Sequence, residues 1–256
     1  YVGTTDTAFN EDFEEPGVTA KDVDYLLEGI AQKFPTLNLT RKNIVSTWSG
    51  IRPLIYEEGK KPSEMSRKDE VFISDSGLIS IAGGKLTGYR LMAKKIVDLV
   101  CDQLNIDQDC KSEKIGIIGG EFKHPSDVDQ YILSVKTRLK GHGLNPSDAH
   151  FLVRTFGKQT DTILDKVKDY RTDQLVRAMT AFTLKNEQVY RLTDFYIRRT
   201  GFLYFMPHRI ESTRNIVASQ FQKFLGLTAD ELAEQQFELD EAIKRTTEFR
   251  DEQAGD

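Results

Sequence analysis

Leu78-Ile79-Ser80-Ile81-Ala82-Gly83-Gly84-Lys85-Leu86-Thr87-Gly88-Tyr89-Arg90 changes texture in mid-stretch. Up to Ala82 it is apolar and β-branched, the pattern of a strand. After Lys85 the apolar residues Leu86, Tyr89, Ala93, Ile96, Val97, Val100 and Leu104 recur at helical spacing. The passage predicts strand, Gly-Gly-Lys turn, then a helix beginning near Leu86. Just upstream, Val71-Phe72-Ile73-Ser74 reads as a second short strand. Asp75-Ser76-Gly77 joins the two, with glycine where a positive φ is wanted.

Working outward, Thr19 predicts the N-cap of a helix over residues 20–34, with Val23, Leu26, Leu27, Ile30 and Phe34 on one face. Pro35 stops it. Asn43-Ile44-Val45-Ser46-Thr47-Trp48-Ser49 reads as a strand, and Tyr1-Val2-Gly3-Thr4-Thr5 as the middle of one, which implies sequence upstream. Residues 56–67 form a polar loop. From Glu121 onward the periodicity is helical: Val128, Tyr131, Ile132, Val135 and Leu139; Ala149, Leu152, Val153 and Phe156; Leu175, Val176, Met179 and Phe182; Val189, Leu192, Phe195 and Tyr196; Ile210, Val217, Phe221, Phe224 and Leu225. Thr228-Ala229-Asp230-Glu231 matches a capping box and opens a last helix with a weak apolar face. The expected division is an α/β (α+β) part, residues 1–113, and an all-helical part, residues 121–256. Residues 114–120 join them as a linker able to pair as a strand.

The totals narrow the function classes. The 256 residues carry a net charge of −5, with 39% hydrophobic and 29% charged side chains. That is an ordinary globular composition, and its mild acidity argues against nucleic acid as the main partner. No apolar run is long enough to span a bilayer. Cys101 and Cys110 make no disulfide framework or metal spacing and read as reduced thiols of a cytoplasmic protein. His124, His142, His150 and His208 show no metal spacing and suit surface or capping positions.

Two units carry chemistry. At Gly83-Gly84-Lys85-Leu86-Thr87 the glycines admit close approach of another body. The helix start offers unpaired N–H groups and the positive end of its dipole. This suits an anion or an electron-rich carbonyl; a tight turn with no ligand reads equally well from spacing alone. The P-loop spacing is absent, so ATP is not the natural ligand. In Ser49-Gly50-Ile51-Arg52-Pro53-Leu54, a planar guanidinium at the end of an apolar strand fits a phosphate at two points, or a salt bridge at a sheet edge. Arg67 has the same two readings. Trp48 walls a pocket or fills a core.

Taken in order, Gly3-Thr4-Thr5-Asp6, Ser49-Gly50-Ile51-Arg52-Pro53-Leu54, Gly83-Gly84-Lys85-Leu86-Thr87-Gly88-Tyr89-Arg90 and Leu192-Thr193-Asp194-Phe195-Tyr196-Ile197-Arg198-Arg199-Thr200 resemble the C-terminal portion of the FAD-dependent glycerol 3-phosphate dehydrogenase and α-glycerophosphate oxidase family. Gly88 departs from the family, where threonine is usual, and the N-terminal Gly-x-Gly-x-x-Gly motif is not in this chain. The resemblance implies hydride transfer from glycerol 3-phosphate to FAD, giving dihydroxyacetone phosphate, with electrons passed to quinone or oxygen. It implies that Arg52 binds substrate, that Arg67 holds its phosphate, and that Lys85 lies beside the flavin pyrimidine ring. Gly83, Gly84, Lys85, Leu86 and Thr87 would form the cofactor-binding turn. Implied partners are the N-terminal part of the same polypeptide and a peripheral contact at the inner face of the cell membrane. Arg198 and Arg199 would salt-bridge to the α/β part. The competing reading is a helical interaction module that docks an electron acceptor, a partner subunit or a membrane surface.

Overall fold

The computed structural model describes residues 1–7, 16–52, 55, 68–168 and 173–249. The chain forms two compact units. One comprises Tyr1–Pro16 with Ser49–Gly116; the other comprises Gly17–Trp48 with Ile117–Asp256. The helix over residues 20–34, which precedes the hairpin in sequence, therefore groups with the later helices. Among the described residues no helix is long and apolar enough to cross a membrane.

In the first unit, β1 (Asp69–Ile73) and β2 (Ile79–Gly83) pair antiparallel, from Asp69 opposite Gly83 to Ile73 opposite Ile79. Gly77, at φ +85°, closes the turn by donating its N–H to the Ser74 carbonyl at 2.9 Å. The α/β expectation thus reduces, among the described residues, to one hairpin and a helix. The opening residues 1–5 are not assigned to a strand. Residues 114–120 are likewise not a strand but the end of a 3-10 turn followed by a turn at Ile118 and Gly119, closed by the Gly120 N–H on the Ile117 carbonyl at 2.8 Å.

In the second unit, α1 (Ala20–Lys33) starts at a reciprocal capping box: Asp22 N–H donates to Thr19 Oγ1 at 3.2 Å and Thr19 N–H to Asp22 Oδ2 at 3.3 Å. Residues 43–49 were expected as a strand. Instead the Thr47 N–H donates to the Thr246 carbonyl at 2.8 Å, at the end of a helix, and Ser46 Oγ donates to the Tyr204 carbonyl at 2.5 Å. Those bonds tie the segment to helical elements rather than to a neighbouring strand. Trp48 is 45% exposed and stacks on Tyr204 and Phe205, with ring centroids 5.2 and 5.6 Å away, so it is not a core residue.

Four of the five helical stripes fold as α3 (Pro125–Gly141), α4 (Asp148–Phe156), α6 (Gln174–Asn186) and α8 (His208–Leu225), and the capping box at Thr228 opens α9 (Ala229–Thr247). Between them lie two short helices that periodicity did not reveal, α5 (Thr160–Val167) and α7 (Phe202–Phe205). α5 buries Ile163, Leu164 and Val167 in one turn. α5 and α8 both pack on α6, and α3 packs on α4. One apolar cluster holds Ile132, Leu152, Phe156, Phe182, Phe195, Phe202 and Phe221, with Phe156 and Phe182 edge to face at 5.7 Å. Phe224, expected on this face, is half exposed, whereas α9 buries Leu239 and Ala242 despite its weak stripe.

Residues 194–199 form a π-helical turn, with the Thr200 N–H bonded to the Phe195 carbonyl at 3.0 Å. Phe195 and Tyr196 of this turn are both in the core. Tyr196 reaches Thr213 Oγ1 at 3.0 Å, and burial pushes its hydroxyl up to about 12.

Candidate functional site

The expected site residues that are described lie in the first unit. Gly83 and Gly84 adopt φ +75° and +80°, the left-handed region that glycine tolerates. A Cβ on Gly83 would lie 2.5 Å from the Lys68 carbonyl oxygen, and one on Gly84 would lie 2.6 Å from Met92 Sδ. Gly83 is therefore required by the chain's own backbone, whereas at Gly84 the Met92 side chain could shift and the positive φ is the constraint. Lys85 leaves this turn exposed at φ −93° and ψ 141° and caps a 3-10 turn over Leu86–Gly88. The Gly88 N–H closes on the Lys85 carbonyl at 2.8 Å.

The helix begins at Leu86 as expected, but only as a 3-10 turn. Regular α geometry starts at Tyr89 and runs to Leu104 as α2. Gly88, at the N-cap of α2, has no side chain with which to cap it. The N–H groups of Leu86 and Thr87 head the turn, where a helix supplies no internal partner. Lys85 adds a full positive charge at the same point. Such a donor set fits a carbonyl edge or an anion, the reading expected from sequence. Lys95 meets Asp69 at 3.2 Å and ties α2 to the hairpin; its hydrogen bond holds the Asp69 carboxyl below the usual range.

Arg52 ion-pairs with Asp6, Nη1 to Oδ2 at 3.1 Å. Ser49 Oγ donates to the Pro16 carbonyl at 2.6 Å and helps fix the segment that leads to Arg52. Ile55 contacts Gly83: its Cδ1 would be 3.1 Å from a Cβ there. Three residues span at most roughly 10 Å, so Arg52 is confined to the neighbourhood of the Gly-Gly turn. Sequence spacing alone did not link these two segments, and it gave Asp6 no role. Arg67, Pro53 and Leu54 lie outside the described residues.

Other candidates are explained within their own unit. Arg198 pairs with Asp194 at 2.8 Å, and Arg199 meets Glu187 at 3.7 Å, so both arginines have acidic partners inside the helical unit. His124 is the N-cap of α3 and His142 its C-cap. Cys101 and Cys110 are both free thiols, and a hydrogen bond with Ser112 draws the Cys110 thiol downward. Among the described residues no group of three or more His, Cys, Asp or Glu is placed to hold a metal ion.

Comparison with known proteins fits these motifs and their order. Residues 110–232 match the family described as the C-terminal domain of alpha-glycerophosphate oxidase. The aerobic glycerol-3-phosphate dehydrogenase of Bacillus subtilis (strain 168) is 42% identical over 229 residues, 85% of this chain and 41% of that protein. The aerobic glycerol-3-phosphate dehydrogenase of Staphylococcus haemolyticus is 37% identical over 257 residues, 96% of this chain and 46% of that protein. The chain belongs to this family, in its C-terminal portion. The crystal structure of the glycerol-3-phosphate dehydrogenase from Bacillus halodurans complexed with FAD superposes with a TM-score of 0.84 at 31% identity. That match covers 96% of this chain and 49% of the other. The chain thus spans less than half the length of these family members.

Proposed function

We propose that this chain is the C-terminal part of an FAD-dependent enzyme that oxidises sn-glycerol 3-phosphate to dihydroxyacetone phosphate. The observation that carries the reading is the Gly83-Gly84-Lys85 turn, with its exposed cation and helix-start N–H groups, in a chain that matches a family member solved with FAD. Bound FAD supplies the hydride acceptor. Lys85 and the N–H groups of Leu86 and Thr87 stabilise negative charge on the pyrimidine edge, a task suited to fixed donors that need no reorganisation. Arg52 binds the substrate through its planar fork, and Arg67 holds the phosphate. Residues 1–16 and 49–113 belong to the FAD and substrate domain, and residues 121–256 form the helical domain, to which residues 17–48 are joined. The exposed stripe of α2 is the bed for an upstream portion of the same polypeptide. The electrons pass to quinone or oxygen, with the enzyme in the cytoplasm or peripheral at the inner face of the cell membrane.

Two measurements test the reading. The 256-residue chain, titrated with FAD by calorimetry, is expected to bind weakly or not at all. Without the upstream pyrophosphate site it lacks several charge-assisted hydrogen bonds, each worth about 1.5–3 kcal/mol. Micromolar binding or tighter would contradict that. In the polypeptide that carries the chain with its upstream part, Arg52→Ala is expected to weaken substrate use roughly tenfold to a hundredfold. Lys85→Ala is expected to slow the limiting rate of flavin reduction in stopped-flow. If both variants kept normal kinetics and lost only thermal stability, the two side chains would be structural and the assignment would fall.

A further inference from the structure

We infer that Asp6 is a positioning residue for Arg52, holding one edge of its guanidinium so that the other edge is presented to an anionic substrate. The inference rests on the proposed reading that Arg52 binds substrate. The geometry is specific. Asp6 Oδ2 approaches Nη1 at 3.1 Å, and among the described residues no other acid pairs with Arg52. A guanidinium has five donors in a rigid plane, so contact at Nη1 leaves the Nε and Nη2 edge available for a two-point contact with an anion. Asp6 and Arg52 come from separate stretches of the first unit, so the pairing is set by folding and not by local sequence. Both side chains are substantially exposed, 53% and 36%. A pair so open to solvent adds little stability. What it supplies is orientation, by limiting the rotamers that a long side chain would otherwise sample.

The test uses the flavin-loaded polypeptide with its upstream part and four variants: Asp6→Ala, Asp6→Asn, Arg52→Ala and the double change Asp6→Ala with Arg52→Ala. Expected for Asp6→Ala is a KM for glycerol 3-phosphate raised roughly threefold to tenfold, with kcat, flavin content and Tm kept. Asp6→Asn, whose amide oxygen still accepts from the guanidinium, should stay near the parent. The double change should raise KM no further than Arg52→Ala alone, because the effect of Asp6 on substrate binding runs through Arg52. A lowered KM in Asp6→Ala would mean that the carboxylate competes with the substrate, and would overturn the inference. So would additive losses in the double change, or a fall in Tm and flavin content at unchanged KM. If Arg52→Ala raises KM and Asp6→Ala does not, the positioning role fails while the substrate role of Arg52 stands. If Arg52→Ala leaves KM unchanged, the reading of Arg52 itself fails.

Discussion

The two units of the chain bury their apolar residues very differently. In the helical unit, Val135, Leu139, Leu152, Ile163, Phe195 and Phe221 are wholly enclosed, and every buried hydrophobic residue among those described belongs to this unit. In the other unit no described residue is buried. α2 carries a stripe as regular as that of α3, yet Leu86 is 89% exposed, and Tyr89, Val97 and Leu104 are more exposed than not. Periodicity reports that a helix has an apolar face; it does not report whether the same chain supplies the cover. A helical unit with its own core can fold by its own burial. A hairpin and helix with contiguous exposed apolar surface have the character of half an interface. On the proposed function that interface completes the flavin domain.

The sharpest way to break this comparison is a matched pair of truncations. Phe182→Ala, in the centre of the helical core, is expected to cost about 3–5 kcal/mol in urea unfolding. Leu86→Ala, in the open stripe, should stay within about 0.5 kcal/mol. Equal costs would mean that the stripe is covered within the chain itself. Next in size is Gly157→Ala. Gly157 sits at φ +55°, and a Cβ there would lie 2.0 Å from the Gly119 carbonyl oxygen, which accepts from the Lys158 N–H at 2.8 Å. Backbone strain alone should cost roughly 1–3 kcal/mol, read as a fall in Tm. An unchanged Tm would show that residues 117–122 are not held where they enter the helical unit.

Helix starts give a smaller contrast. α9 begins at a capping box in which Thr228 Oγ1 accepts from the Glu231 N–H at 3.2 Å, whereas α2 begins at Gly88 with no side-chain cap. Thr228→Ala should cost about 1 kcal/mol, and Gly88→Ala should leave stability in the helical unit untouched. A loss for the glycine change as large as that for the threonine would contradict the division.

The smallest effect concerns Glu187. Its Oε2 lacks a hydrogen-bond partner, and burial pushes its carboxyl up while Arg199 only partly opposes the shift. A carboxyl whose folded pKa is raised binds its proton more tightly in the folded state. The helical unit therefore gains stability as pH falls through that raised pKa towards the ordinary glutamate value, about 4.3. Glu187→Gln should raise Tm slightly at neutral pH, and the gain should shrink on acidification. A gain that is the same at pH 7 and pH 4.5 would remove Glu187 as the cause.

Much of this was legible before any coordinates. The hairpin at residues 69–83, the Gly-Gly-Lys turn, the caps at Thr19 and Thr228 and five helical stripes depend on neighbours within a few positions, and such neighbours are written into sequence as period and turn chemistry. Arg52 and Lys85 could be chosen for the same reason. The failures came where distant contacts decided. Residues 43–49 have strand composition but give their hydrogen bonds to Thr246 and Tyr204. α5 is too short to display a period, and the π-helical turn at residues 194–199 is set by backbone bonding that apolar spacing does not record. The pairing of Asp6 with Arg52 and the seating of Ile55 on Gly83 join segments that have no local relation. The sequence by itself determined which residues could make helices, turns and a donor-rich site, because those properties are local. Only the tertiary structure decided which apolar faces are covered and which charges meet, because burial and ion pairing depend on what the rest of the chain brings to each surface.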